Sequence, residues 1–296
     1  MRNLLRKILP QSLIDFYKQR KKQSRLKDRE SLLKNNQIVT KAEIIQQLKH
    51  VGLQSGDVVM LHSALSKMGY VEDGANTVID AFKEVVGNEG TLMMPAFPAV
   101  GFNYDYLNSQ PIFDVNQTPS KMGAITETFR KQSNVLRSLH PTDSVIAIGK
   151  QAVYLTKDHF GQLTPYNVQS PFYRLCELKG KIVLIGVDFN SLTNLHTLED
   201  AVENFKYPVY HEQQFDCTML DEGGNKRTMK TKVHNPVYSK KRQCNALIPH
   251  FERAGILKHF KIGLADCMLI DAYGMHQWMV KNYLEKGITM YTPNGN

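Results

Sequence analysis

Short apolar runs separated by helical segments are the feature that most constrains how this 296-residue chain can fold. The longest apolar runs, such as residues 58–61 and 182–187, have the length of β-strands and are far below the roughly 18 residues that a membrane-spanning helix requires. Helical segments are predicted between the strands, over residues 40–48, 75–86 and 122–131. This alternation predicts an α/β fold with a central mixed, partly parallel sheet flanked by helices.

Local signals predict where several elements begin. Thr40 is a suitable N-cap for the first helix, with Glu43 at the capping-box spacing. The proline that follows Ser170 occupies a position typical of the first residue of a helix. Residues 96–119 contain prolines and many polar residues, and a long excursion inside a compact domain is usually functional. We therefore expect a functional role for this excursion.

The positive charge of the chain is concentrated at its N-terminus. Residues 1–34 contain 11 lysines and arginines and three acidic residues, so they carry +8 of the formal net charge of +9. The remaining 262 residues contain 26 basic and 25 acidic residues and are nearly neutral. Any inference from charge to a binding partner therefore concerns the tail and not the body of the protein.

The tail has two interpretations. Apolar residues among basic ones over residues 4–9 predict an amphipathic helix in an extension, residues 1–38, ahead of one domain, residues 39–296. The helix can attach to an anionic membrane surface, which predicts a cytoplasmic protein peripheral to the inner face of the membrane. Alternatively, it packs on the body or on a partner subunit. No recognised nucleic-acid-binding module accompanies the tail, so no nucleic-acid partner is expected, and the oligomeric state is open.

Several common enzyme motifs are missing from the sequence. It contains no G-x-S-x-G, Walker, H-E-x-x-H or G-x-G-x-x-G pattern. The four cysteines, at positions 176, 217, 244 and 267, have no C-x-x-C spacing. They favour a reducing compartment and argue against a disulfide framework and a structural zinc site.

His196 and Glu199 form the candidate acid–base pair. They follow the apolar run of residues 182–187 and a polar loop, and they lie three positions apart. Residues at that spacing share a helix face, so the imidazole and the carboxylate would meet at the mouth of a strand. A histidine steered by a carboxylate can deprotonate a protonated amine before it attacks. The same spacing occurs in helices without a catalytic role. A metal site lacks an evident third ligand, so no metal is expected.

Two other segments contain candidate functional groups. Residues 62–69 (HSALSKMG) form a strand-to-loop junction whose N–H groups and hydroxyls either bind anionic or carbonyl oxygens or form an ordinary turn. His140 precedes a proline, which forces extended backbone at that residue. It is either a functional histidine or a loop histidine satisfied by hydrogen bonds.

Five blocks of the sequence occur in a characteristic order. They read VVMLHSALSKMGYVEDGANTVIDAFKEVVGNEGTLMMPAF, FDVNQTPSKMGAITETFRK, SLHPTDSVIAIGKQA, PYNVQSPFYRLCELKGKIVLIGV and LTNLHTLEDA. Together they resemble the aminoglycoside 3-N-acetyltransferase, or antibiotic N-acetyltransferase, family, closely over residues 41–201 and more loosely in the C-terminal third. The resemblance implies an N-acetyltransferase with the fold of that family, which transfers acetyl from acetyl-CoA to an amine of an aminoglycoside or amino sugar.

The resemblance also implies roles for individual residues. His196 and Glu199 match the L-H-x-x-E block of the family and would be the catalytic pair, with the histidine as general base. The HSALS loop matches the segment that lines the CoA site. The implied cofactor-binding residues are Ser63, Ala64, Leu65, Ser66, Met122 and Ser144.

The chain departs from the family pattern close to the catalytic pair. Members commonly carry an aspartate six residues before the histidine, whereas this chain has Asn190 there. Asp188 would supply a carboxylate nearby if the segment is extended, so both residues are substrate-binding candidates. A nearly neutral body also offers few carboxylates to a polycationic aminoglycoside. The alternatives are an amino-sugar N-acetyltransferase of surface polysaccharide synthesis, without a role in antibiotic resistance, and a non-catalytic relative that binds CoA.

Overall fold

The computed structural model describes residues 19, 20, 23 and 38–295, and its strands form three sheets. The strands are β1 (Ile38–Val39), β2 (Val58–Ser63), β3 (Tyr70–Val71), β4 (Thr91–Pro95), β5 (Ile112–Asp114), β6 (Leu136–Arg137), β7 (Val145–Gly149), β8 (Lys181–Ile185), β9 (Phe215–Leu220), β10 (Lys226–Thr231), β11 (Leu257–Ile262) and β12 (Ala265–Asp271).

Helices alternate with most of these strands. The α-helices are α1 (Lys41–Val51), α2 (Ala75–Val86), α3 (Asn103–Asn108), α4 (Ala124–Arg130), α5 (Ala152–Thr156), α6 (Pro171–Glu177), α7 (Thr197–Ala201), α8 (Pro236–Ser239), α9 (Ile248–Arg253) and α10 (Ala272–Lys286). Short 3-10 helices cover Leu65–Lys67, Phe189–Ser191, Thr193–His196 and Cys244–Leu247.

The central sheet has seven strands in the spatial order β11-β12-β8-β2-β4-β7-β6. The three middle strands, β8, β2 and β4, run parallel, and the remaining pairs on both sides are antiparallel. This mixed sheet with flanking helices confirms the predicted fold class. Because the carboxyl ends of parallel strands meet at one edge, the loops that follow β2, β4 and β8 come together there.

Successive residues of the central strands pack into two hydrophobic cores on opposite faces of the sheet. On β2, Met60 faces one core and Leu61 faces the other, and on β8 Leu184 and Ile185 divide in the same way. A parallel sheet that is covered on both faces needs strands without a polar side. This explains why the apolar runs in the sequence are continuous and not alternating.

Side-chain caps begin the helices at the positions that the sequence indicated. The hydroxyl of Thr40 accepts a hydrogen bond from the Glu43 N–H at 3.3 Å. The hydroxyl of Ser170 accepts one from the Tyr173 N–H at 3.1 Å. Each cap satisfies an N–H group that has no partner inside the helix.

The excursion over residues 96–119 contains regular structure. It includes α3 and β5, and β5 pairs in parallel with β9 to form the sheet β10-β9-β5. A third core, which includes Phe113, Phe215 and Met219, lies against this sheet. Sequence patterns do not reveal the sheet, since β10 consists mainly of charged and polar residues and lacks an apolar run.

The predicted amphipathic helix of the tail lies outside the described residues. The first described strand, β1, begins at Ile38, next to the predicted boundary between extension and domain. Across the residues that the structure does describe, no helix is long and apolar enough to cross a membrane.

Candidate active site

The loop after β8 carries the candidate acid–base pair. The strand is followed by Gly186, whose φ of 62° lies in the left-handed region that favours glycine. The chain then forms two 3-10 turns, and His196 is the last residue of the second, directly before α7. Glu199 lies in α7, so the pair spans a junction of two helices and not one α-helix. The two side chains meet, with 3.1 Å between His196 Nδ1 and Glu199 Oε1.

Glu199 is a buried carboxylate with three hydrogen-bond partners. In addition to His196, Nε2 of His234 lies 2.6 Å from Oε2, and the Tyr291 hydroxyl donates to Oε1 at 2.6 Å. None of the Glu199 side chain is exposed to solvent. A carboxylate at such a position is stable only when hydrogen bonds replace its lost hydration. The three partners provide those hydrogen bonds and fix the orientation of the carboxylate.

The sequence gives no indication of His234 or Tyr291. They lie 35 and 92 positions after Glu199, whereas helical spacing rules reach only three or four residues. No motif surrounds either residue. The fold brings both to Glu199, and this proximity cannot be deduced from local sequence.

Aromatic rings surround the two imidazoles. The ring centroid of Tyr166 lies 4.9 Å from that of His196 and 5.4 Å from that of His234. The two imidazoles are 4.4 Å apart, and Tyr210 stacks on His234 at 5.0 Å. These contacts restrict the rotation of both imidazoles and remove much of the water around them.

Burial determines the protonation state of the pair. It lowers the pKa of His196 to about 3, against the opposing effect of the Glu199 charge. Burial alone would raise the pKa of Glu199, but the adjacent imidazoles hold this pKa well below its usual value. At neutral pH, a neutral imidazole therefore lies beside a carboxylate. Because an ionised carboxylate only accepts hydrogen bonds, Nδ1 of His196 carries the hydrogen and Nε2 carries the lone pair.

A cavity of about 1190 Å³ opens at the carboxyl ends of the central strands. Its walls include all five residues of the HSALS loop and Met122. Five of the six predicted cofactor-binding residues are among them, namely residues 63–66 and Met122. The backbone N–H groups of Leu65 and Ser66 have no acceptor within the described chain. These residues begin a 3-10 helix, where the first N–H groups lack intrahelical partners. Two residues of the cavity wall therefore have N–H groups without an acceptor in the described chain.

A second cavity, of about 440 Å³, adjoins the first. His196 and His234 line only this smaller cavity. The residues that line both cavities are Phe97, Val100, Met122, Asn190 and Thr193. Two ligands bound in the two cavities would thus meet at a shared boundary, with the imidazole of His196 on the side of the smaller one.

The structure does not bring every predicted ligand residue to a cavity. Asn190 lines both, but Asp188 lines neither, since its carboxylate accepts hydrogen bonds from the amides of Asn190 at 3.1 Å and Asn245 at 2.8 Å. Ser144 also lies outside both cavities. It is fully buried, where its hydroxyl accepts from Arg137 Nε at 3.0 Å and donates to a backbone carbonyl at 2.9 Å. Local hydrogen bonds therefore direct Asp188 and Ser144 away from the cavities.

Of the two interpretations of His140, the structure agrees with a loop histidine that is satisfied by hydrogen bonds. It is fully buried, and its Nδ1 accepts a hydrogen bond from the Asp143 N–H at 3.1 Å. Its ring stacks on His159 with 4.4 Å between centroids. Burial holds the pKa of His140 well below its usual value, so the ring is neutral.

His196, Glu199 and His234 also have the ligand types of a metal site. Their ligand atoms lie within 4.8 Å of one another. The sequence showed no third ligand because His234 is remote from the other two residues. Hydrogen bonds within the trio already satisfy these atoms, so their arrangement is explained without an ion. That the protein binds no metal stays a prediction.

Known proteins are similar to this chain in sequence and in fold. The family model described as aminoglycoside 3-N-acetyltransferase matches residues 60–284. Aminoglycoside N(3)-acetyltransferase VII of Streptomyces paromomycinus is 34% identical over 178 residues, which cover 54% of this chain and 60% of that protein. The SPbeta prophage-derived aminoglycoside N(3')-acetyltransferase-like protein YokD of Bacillus subtilis is 31% identical over 251 residues, which cover 78% of this chain and 88% of that protein.

Solved structures extend the similarity to the fold. AAC-VIa bound to sisomicin has a TM-score of 0.71 at 27% identity, covering 83% of this chain and 97% of that chain. AAC-IIIb in a binary complex with CoASH has a TM-score of 0.71 at 24% identity, covering 86% of this chain and 100% of that chain, and shares the fold. These matches confirm the family that the five blocks indicated and, at the level of the family, the enzyme class of N-acetyltransferases. The chain belongs to the aminoglycoside 3-N-acetyltransferase family.

Proposed function

We propose that this chain transfers the acetyl group of acetyl-CoA to an amine of an aminoglycoside or amino-sugar acceptor, with His196 as the general base. The main support is the contact between His196 and Glu199 beside the boundary of two adjoining cavities. AAC-VIa, which has a similar fold and sequence, has been solved bound to sisomicin. The smaller cavity is the proposed acceptor site, and the larger one is the proposed acetyl-CoA site.

His196 has the protonation state that a general base requires. Its Nδ1 is directed at Glu199, and no residue in the described part of the chain forms a hydrogen bond with its Nε2. The lone pair of Nε2 is thus free to take a proton from the acceptor ammonium. Glu199 then stabilises the imidazolium that forms, as a carboxylate next to the opposite ring nitrogen. General-base catalysis of this kind contributes about 10²–10⁴-fold to the rate.

The larger cavity suits the donor. Residues 63–66 and Met122 lie in its walls and are the proposed cofactor contacts. The free N–H groups of Leu65 and Ser66 would stabilise the oxyanion that develops on the thioester carbonyl. A protein with the same fold has been solved as a binary complex with CoASH, so the fold accommodates this donor.

The proposed reaction is a direct transfer between the two substrates. The acceptor ammonium gives one proton to His196, and the lone pair that this frees forms a bond to the thioester carbonyl carbon. The carbon–sulfur bond then breaks, and the CoA thiolate leaves and takes up the second proton that the nitrogen releases. The proton on His196 passes to solvent. Cys244 lines the acceptor cavity, but burial raises its pKa to about 11, so it stays a thiol and is a poor nucleophile. An acetyl-enzyme on Cys244 is therefore not part of the proposed transfer.

An amino sugar of surface polysaccharide synthesis is a second candidate acceptor. Among the described residues, Asp143 is the only one in the wall of the acceptor cavity with a carboxylate side chain. A polycationic aminoglycoside favours a cleft with several carboxylates. A smaller acceptor with a single amine requires less negative charge in the cavity.

Replacement of His196 tests the proposed base. We expect His196→Ala to lower kcat by about 10²–10⁴-fold, since the proton of the acceptor then has no base to receive it. Release of the CoA thiol would measure turnover, and calorimetric titration would show unchanged CoA binding. The matched control is His259→Ala, because His259 is an exposed histidine that also pairs with a glutamate. Full turnover by His196→Ala would overturn the proposed base.

A further inference from the structure

Arg242 lies in the wall of the proposed acceptor cavity, together with His196 and His234. Its Nε donates to the Tyr291 hydroxyl at a long distance of 3.4 Å. Its Nη2 is buried and has no acceptor among the residues that the structure describes. A buried guanidinium nitrogen without an acceptor destabilises a protein. An unsatisfied cationic donor on a side chain that lines a cavity is therefore a position at which a ligand can supply the missing acceptor.

No carboxylate of the site neutralises Arg242 directly. Glu199 is linked to it only through the Tyr291 hydroxyl, which donates to Glu199 and accepts from Arg242. Asp143 accepts from the hydroxyls of Tyr166 at 2.9 Å and Thr142 at 2.7 Å. Burial also raises the pKa of Asp143, which disfavours its charged form. Burial opposes the charge of Arg242, but Tyr291 and Glu199 raise its pKa and keep it charged. Within the described residues, the acceptor cavity thus contains a cation that forms no direct ion pair.

Other residues of the same cavity are suited to an amine. Asn190 lines it with an uncharged side chain, and His196 is the proposed acceptor of the proton that the amine releases. A polycation would bring several positive charges close to Arg242, and Asp143 alone would oppose them. An acceptor with one amine and one anionic group would match both parts of the cavity.

We infer that the acceptor carries an anionic group, a carboxylate or a phosphate ester, which binds Arg242 while His196 deprotonates its amine. This inference rests on the proposed function. A guanidinium donates two parallel hydrogen bonds to either kind of anion, so Arg242 suits both. The substrate class is then an acidic amino sugar, such as an amino-sugar phosphate or an aminouronic acid.

Matched acceptors test this inference. The panel contains 2-amino and 3-amino glucose, each as the neutral sugar, the 6-phosphate and the uronic acid, together with kanamycin as the polycation. Release of the CoA thiol gives kcat/KM for each. We expect the phosphate or the uronic acid to exceed the neutral sugar of the same series at least about tenfold, the effect of a 1.4 kcal/mol contact. The anionic sugar, phosphate or uronic acid, whose kcat/KM rises more above that of the neutral sugar identifies the anion.

Two variants connect that preference to the guanidinium. Arg242→Met removes the guanidinium but keeps an unbranched apolar side chain, and it should abolish the preference because KM rises more for the anionic acceptor than for the neutral sugar. Tyr291→Phe removes the hydroxyl between Arg242 and Glu199 but keeps the positive charge, so the preference should persist. A preference retained in Arg242→Met, or faster transfer to kanamycin than to any anionic sugar, would overturn the inference and leave the proposed function intact. If no acceptor of the panel supports release of the CoA thiol, both the inference and the proposed function are overturned.

Discussion

Glu199 links the proposed base, His196, to parts of the chain that are distant in sequence. Its carboxylate contacts two imidazoles and one phenol, and an ionised carboxylate requires a hydrogen from each of them. The requirement selects one tautomer of His196, with the lone pair on Nε2. Glu199 thus controls the direction in which the imidazole accepts a proton, as well as its orientation.

A substitution that keeps the shape of Glu199 tests this control. Glu199→Gln replaces one acceptor oxygen with an N–H donor, so one of the partners loses its acceptor and the imidazolium loses its counter-charge. We expect kcat to fall about 10²–10⁴-fold while the protein stays folded. The control is Glu252→Gln, since the exposed Glu252 lies 2.6 Å from a histidine and takes no part in the site. Wild-type kcat in Glu199→Gln would show that the pair is not a catalytic unit.

The residues of the site differ in how far sequence could predict them. His196 and Glu199 lie within one helical turn of each other, so their contact follows from spacing. His234, Arg242 and Tyr291 come from the last quarter of the chain, and only the packing of the whole domain determines their distance from Glu199. Ser144 and Asp188 show the opposite case, because their sequence positions suggested ligand contacts, whereas both form local hydrogen bonds and line neither cavity.

At the scale of elements, the end of β8 packs against the 3-10 helix that follows β2. A Cβ atom on Gly186 would lie 2.4 Å from the Cβ of Lys67, closer than such atoms approach in proteins. The glycine thus lets the loop that carries His196 approach the loop of the proposed cofactor site.

Gly186→Ala tests that contact. We expect a loss of stability of about 1–3 kcal/mol from the positive φ and, because Lys67 must move, a higher KM for acetyl-CoA. Urea unfolding and initial rates would measure the two effects. Gly224→Ala is the matched control, as Gly224 also has a positive φ but no atom near its Cβ position. It should lose stability without a change in KM. An unchanged KM in Gly186→Ala would contradict the proposed coupling of the loops.

Elements with strong local signals were predictable and the others were not. The helix caps at Thr40 and Ser170 follow from the side chains at those positions. The parallel strands follow from continuous apolar runs in the sequence. The sheet β10-β9-β5 joins segments that are about 100 residues apart, and its strands are polar on one face. Such strands form only when the rest of the domain supplies a surface for them to cover.

At the scale of the whole molecule, buried histidines make folding sensitive to acid. Burial lowers the pKa of His62 to about 4 and those of His159 and His196 to about 3, and it holds that of His140 far below its usual value. The unfolded chain binds protons at these side chains near pH 6.5, whereas the folded protein does not. Their contribution to stability is fully present above pH 6.5 and is lost as the pH falls towards the folded values.

We therefore expect the free energy of unfolding to fall between pH 7 and pH 5. Each histidine contributes about 1.4 kcal/mol per pH unit below 6.5. Asp143 and Asp200, whose pKa values burial raises, oppose the trend but are fewer. Urea unfolding at half-unit steps of pH would measure the slope. His159→Gln should make it shallower, and the exposed His259→Gln should not. Equal stability at pH 7 and pH 5 would contradict the expectation.

The division of the site into two chambers has a consequence for how the protein can diversify. The larger chamber is built mainly by residues 62–126, whereas His234, Ser239, Arg242 and Cys244 line only the smaller one. In the proposed assignment of the two chambers, substitutions in the C-terminal third alter which amine is accepted while the donor chamber stays as it is. Donor use and acceptor choice are separable traits in such a chain, and relatives with one common donor can inherit very different chemical targets.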